Sequence, residues 1–205
     1  MLKTAVVALA AIFLLAPYGL AQEHSLEVAA SAGTILTKTV EGNGTTVSAT
    51  QPLNLLGTFR FRIAPRFGLE ANYGRAKNSQ NYNSPPNTFR IQTQITEFTG
   101  DLVYSPFRTE RVTTFILGGG GVLFFSPYYT EIDGVPTTIN TSRQGRVGIL
   151  FGAGADYHFN SRLALRLQYR GLFYSPPDFN VHVSGLFTGA HGYMGEPSVG
   201  VVFSF

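Results

Sequence analysis

The chain has 205 residues, only 13% of them charged, with 23 Gly, 17 Phe and 10 Tyr, no Cys and no Trp, and a formal net charge of +3. That charged fraction is about half the share of ordinary soluble domains, and the scattered excess of cations excludes a basic nucleic-acid stripe. The lack of cysteine excludes disulfides, thiolate metal sites and a lipidated cysteine.

Lys3 precedes an apolar run from Ala5 to Ala16, Pro17 and Gly19 break it, and Gly19-Leu20-Ala21 offers small residues for a signal peptidase. The pattern predicts a cleaved secretory leader over 1–21 and a folded unit over 22–205. The run is too short for a membrane helix, and no later run reaches the roughly 18 apolar residues of a span. Apolar surface must therefore be spread over many short segments.

His24 to Leu36 is the first predicted strand, with Leu26, Val28, Ala30 and Ala32 alternating with Glu27, Ala29, Ser31 and Gly33. A polar, Gly-containing loop is expected from Lys38 to Thr50. From Leu53 to Ile63 the pattern is clearest: Leu53, Leu55, Phe59, Phe61 and Ile63 oppose Asn54, Thr58, Arg60 and Arg62. After a turn at Ala64-Pro65-Arg66, Phe67, Leu69, Ala71 and Tyr73 oppose Gly68, Glu70, Asn72 and Gly74. Arg75 to Thr88 reads as a second long loop. The strand from about Phe89 to Phe107 changes parity, because Ile91 and Ile95 do not share the face of Phe98, Leu102 and Tyr104; a β-bulge or a polar extension beyond an apolar band explains this equally.

Arg108 to Arg111 is a short turn, and Val112 to Ser126 is a strand containing Gly118 to Gly121. That Gly run lacks the Gly-Lys-Ser/Thr of a P-loop and reads as close strand approach. Pro127 to Gln144 is a third loop with a tight turn at Asp133-Gly134. Gly145 to Phe159 sets Val147, Ile149, Phe151, Ala153, Ala155 and Tyr157 against Arg146, Gly148, Gly152, Gly154, Asp156 and His158. After Asn160-Ser161, Arg162 to Phe173 alternates Leu163, Leu165, Leu167 and Tyr169 with Arg162, Arg166, Gln168 and Arg170. Tyr174 to Gly192 is the fourth loop. The last strand places Val199, Val201, Phe203 and Phe205 on one face.

Eight strands, three short turns and four long loops in alternation predict an all-β fold, an eight-stranded antiparallel transmembrane up-and-down β-barrel. A lipocalin-like soluble barrel has the same strand count with its apolar rows inside. Those rows would overfill so narrow a barrel, whereas Arg60, Arg62, Glu70, Asn72, Glu97, Asp101, Asp156, Arg166 and Arg170 can pair inside it. The expected interior is a side-chain-filled polar lumen.

The leader, the alternating segments, the Gly148 to Tyr157 and Asn160 to Arg170 stretches, and terminal Phe205 resemble the OmpA/OmpX-type outer-membrane β-barrel superfamily, barrel only, with no peptidoglycan-binding domain following. The resemblance implies residence in the outer membrane of a Gram-negative bacterium. It also implies an assembly signal carried by Val201, Phe203 and Phe205 and read by the barrel-assembly machinery. Outer-membrane lipids and an extracellular ligand for the loops are the other expected partners; no nucleic acid, no cofactor and a monomer are expected. Members differ in activity, so the first functional expectation is a structural or interaction barrel, with a narrow channel as an alternative.

One constellation points to catalysis. His182-Val183-Ser184 with Glu196 is similar in order and spacing to the site of lipid A deacylases, in which Ser184 would attack an ester, His182 accept its proton and Glu196 orient the imidazole. Gly185 stands where that family has asparagine, and Pro176-Pro177 places the pair in a loop. As ordinary solvated loop residues they need no chemistry, and that is the preferred reading.

Overall fold

The computed structural model describes residues 26–137, 141–179 and 191–205. The expected leader over 1–21 and the pair His182 and Ser184 lie outside them. Eight long strands form the wall: β1 (Leu26–Thr34), β5 (Leu53–Ala64), β6 (Phe67–Ser84), β7 (Asn87–Tyr104), β8 (Val112–Ile132), β10 (Gln144–His158), β11 (Leu163–Tyr174) and β12 (Gly192–Ser204). Each pairs antiparallel with the next, and β12 pairs back onto β1 from Glu27↔Ser204 to Gly33↔Ser198, so the sheet closes on itself. Closure removes the exposed edges that an open sheet would leave.

Alternation sets the facing of every strand. Leu55, Phe59, Phe61, Leu69, Val147, Ile149, Leu165, Val201 and Phe203 all point outward and are exposed. Their strand neighbours Leu56, Thr58, Arg60, Glu70, Leu150, Arg166 and Val202 are buried inside. A one-residue slip would exchange these two sets, so the two faces specify the register.

The short turns close as their residues dictate. Asn160 Oδ1 accepts from the backbone N–H groups of Arg162 and Leu163, both at 2.9 Å, which folds the chain back within a few residues. At the opposite end three of the four expected loops contain paired strand. Residues 75–88 are not a loop, because β6 and β7 stay in unbroken register from Phe67↔Tyr104 to Ser84↔Asn87 and turn at Pro85 and Pro86. Their polar residues could not belong to an apolar wall, yet they make a ladder beyond it.

Likewise 38–50 holds a hairpin of β3 (Val40–Gly42) and β4 (Thr45–Ala49), which docks on β6 from Thr46↔Asn83 to Ala49↔Gln80. The short β2 (Leu36–Thr37) pairs with β12. β8 runs on to Ile132 and pairs with β9 (Val135–Pro136). Both hairpins turn on an Asx-Gly pair with positive φ, Asn43 (50°) with Gly44 (74°) and Asp133 (50°) with Gly134 (77°). Positive φ at both central residues is the turn whose twist suits a hairpin.

The parity change in β7 has a different cause from a bulge in that strand. Ile91, Thr93, Ile95, Glu97, Thr99, Asp101 and Val103 all face inward in one continuous series. The interior itself turns from polar to apolar along it. A bulge does occur opposite, in β8, where Tyr128 is left between the pairs Thr93↔Pro127 and Gln92↔Tyr129.

Candidate functional site: a layered interior and its cap

Register brings opposite charges face to face across neighbouring strands: Arg60↔Glu70, Asp156↔Arg166 and Arg170↔Glu196. The layer nearer the short turns is built on Arg60 and Arg166. Arg60 holds Glu70 at 2.7–2.8 Å and lies 3.5 Å from Asp156 and 3.6 Å from Glu27. Arg166 grips Asp156 with two parallel bonds of 2.7 and 2.8 Å and lies 3.5 Å from Glu27. Such a fork fixes direction as well as charge. Arg62, only partly buried, pairs with Glu27 at the rim. The Phe115 ring covers both central guanidiniums, 4.3 Å from Arg60 and 5.0 Å from Arg166.

A second layer is centred on Arg170, which has no solvent exposure. It donates to Glu196 at 3.0 Å, to Thr99 at 2.9 Å and to Glu97. Asn54 donates to the other Glu196 oxygen at 3.2 Å. Between the layers Thr58 donates to Asn72 at 2.7 Å, and Asn72 donates to Asp101 at 2.8 Å. Of the residues anticipated for the interior, Arg60, Arg62, Glu70, Asp156 and Arg166 meet in the first layer, Glu97 and Arg170 in the second, and Asn72 and Asp101 lie between them. Glu27, Asn54 and Thr99 belong to them as well, and strand parity alone could have included them.

Glu196 is the one member of the candidate triad within the described residues. It is buried, and both of its oxygens are engaged, by Asn54 and by Arg170.

Above these layers the interior is mostly apolar, with Thr93 the polar member of the inward β7 row. Ile35, Ile91, Ile95, Leu123, Phe125, Leu150, Leu172 and Met194 form an apolar plug. Phe179 caps it, fully buried with φ of 54°, a conformation that bulky residues adopt only under outside constraint. The constraint is visible. Gln144 accepts from the backbone N–H groups of Asp178 (3.0 Å) and Phe179 (3.1 Å) and donates to the Asp178 carboxylate at 2.7 Å. Arg146 reaches the same carboxylate at 3.2 Å.

The Tyr82 ring meets Phe179 edge-on at 6.4 Å, and its hydroxyl lies between the Pro177 carbonyl (2.8 Å) and the Gln80 amide oxygen (2.7 Å). Burial, with the nearby Tyr174 and Asp178, pushes the Tyr82 phenol well above its usual range, so it remains a neutral donor. Sequence reasoning missed this cap, since neither Phe179 nor Tyr82 lies in a periodic stretch that reveals its facing.

Residues 5–191 match the family described as outer membrane protein beta-barrel domain. A search of curated protein sequences finds no match. Among solved structures the chain is similar to Neisserial surface protein A (TM-score 0.60, 17% identity, covering 90% of this chain and 100% of that one). It is similar also to the outer membrane protein OprG of Pseudomonas aeruginosa (0.59, 13%, 89% and 96%). A third is the attachment invasion locus protein Ail of Yersinia pestis (0.54, 11%, 90% and 100%). At these identities the likeness is one of fold.

Proposed function

The chain belongs to the outer membrane protein β-barrel family of the bacterial outer membrane, and from that premise we propose that it is a sealed, non-conducting barrel that holds its long hairpins at the cell surface for interaction with an extracellular ligand. One observation supports this reading: within the ring of strands two buried arginine-centred layers are followed by an apolar plug capped by Phe179. A filled eight-stranded barrel serves as an anchor rather than a pore. Barrel-assembly machinery would act on it during biogenesis, and the β3–β4, β6–β7 and β8–β9 hairpins supply the exposed surface.

Recording from the folded chain in planar bilayers tests the sealed interior. The expected trace is silent at moderate voltage. Discrete, reproducible openings of the wild-type chain would replace this reading with that of a narrow channel.

A further inference from the structure

The outward face of β6 changes character abruptly. Phe67, Leu69, Ala71 and Tyr73 are followed on the same exposed row by Arg75 and Lys77. Across the wall the change continues in register. Tyr73 opposes Phe98, and Phe98 opposes Val122; one step higher, Arg75 opposes Thr96, and Thr96 opposes Phe124; above that, Lys77 opposes Gln94, and Gln94 opposes Ser126. An aromatic belt made by Tyr73, Phe98 and Phe124, with ring centroids 5.1 and 6.3 Å apart, is therefore overlaid by a polar shelf.

The shelf carries three cations. Arg75 donates to Gln94 at 2.7 Å, Lys77 lies 5.8 Å from the Tyr128 ring, and Arg143 lies 4.4 Å over Phe124. Among the described residues no carboxylate pairs with any of the three; the ion pairs at this end, Arg90–Glu131 and Arg146–Asp178, use other cations. By contrast, the outward rows of β11 and β12 show Leu165, Leu167, Tyr169, Phe173, Val199, Val201 and Phe203.

Aromatic rings of a membrane barrel sit at the interface, and long cationic side chains above them reach the headgroups. Long hairpins mark the outer end, so these cations meet the outer leaflet. We propose that Arg75, Lys77 and Arg143 form a wall-side site for the phosphate-bearing headgroup of an outer-leaflet lipid, whose acyl chains lie against Tyr73, Phe98 and Phe124. The inference rests on the outer-membrane placement and is independent of whether the interior conducts. Guanidinium and ammonium groups supply the donors that phosphate oxygens need, and the aromatic belt directly beneath favours a lipid over a soluble polyanion.

The test uses the full folded chain and lipid A as probe, with retained lipid counted by native mass spectrometry after release into detergent. The triple variant Arg75→Gln, Lys77→Gln, Arg143→Gln should lose affinity on the order of a hundredfold, at roughly tenfold or less per cation. A control triple at the short-turn rim, Arg66→Gln, Arg111→Gln, Arg162→Gln, should retain it. Lys77→Gln alone gives a milder variant whose folding is not in question. Equal retention by wild type and triple variant, equal losses in both triples, or unchanged binding of dephosphorylated lipid A would each overturn the proposal. So would tight binding of inositol hexakisphosphate through the same three residues without lipid selectivity.

Discussion

Arg170 is the residue on which most of the upper layer depends. Its guanidinium joins β11 to Glu196 on the neighbouring β12 and, across the barrel, to Glu97 and Thr99 on β7. Removing a buried partner leaves carboxylates without compensation, which costs more than the pair itself contributes. Arg170→Ala is therefore expected to destabilise the barrel by about 3–5 kcal/mol, read as a shift of the urea midpoint in lipid vesicles. A loss no larger than that of an exposed rim substitution such as Arg66→Ala would show that water or a neighbouring cation replaces it readily. Parity alone identifies Arg170 as inward-facing, because Leu167 and Tyr169 flank it on the other face. Its partners are less legible, since they come from strands far apart in sequence.

At the scale of the strand, β8 shows why a Gly run can be wall rather than loop. An added Cβ on Gly121 would strike the Phe98 carbonyl and lie 2.6 Å from the Thr99 Cα. At Gly118 the nearest atom, the Leu150 carbonyl oxygen, is 4.0 Å away. Gly121→Ala should cost about 1–3 kcal/mol through overpacking and Gly118→Ala almost nothing, a contrast that equilibrium unfolding of the two variants measures directly. On β5 the outward Phe61 gives the matching test of facing: Phe61→Arg should lower stability by about 2–4 kcal/mol if it sits near the midplane. Full folding efficiency of that variant in bilayers would invert the wall assignment.

The wall was readable because each strand meets two solvents and so repeats with period two. Beyond it β6 buries polar residues instead, Asn78 accepting from Thr93 and Gln80 from Tyr82, so Asn78, Ser79, Gln80 and Asn81 show no apolar row and read as loop. The same reason hid the plug. Ile91 and Ile95 share parity with Glu97 and Asp101, and one-dimensional periodicity cannot say that an interior changes polarity along its axis.

For the whole molecule the proposed sealed interior implies two closures in series, which different mechanisms would maintain. On that proposal the arginine layers would block by occupying the bore with fixed, paired charge, and the plug by excluding water from an apolar constriction. Thinning the plug with Phe125→Ala, Leu172→Ala and Phe179→Gly leaves Arg60, Arg166 and Arg170 in place. Arg170→Ala leaves the plug. Each variant alone is expected to stay silent in planar bilayers, and so are the two sets combined, because the Arg60 and Arg166 layer still occupies the bore. Conduction by the plug variant alone would mean that the ion layers are no barrier and that Phe179 with the residues beneath it is the sole gate. Silence of the combined variant, with folding verified, would place the remaining barrier at the Arg60 and Arg166 layer under Phe115.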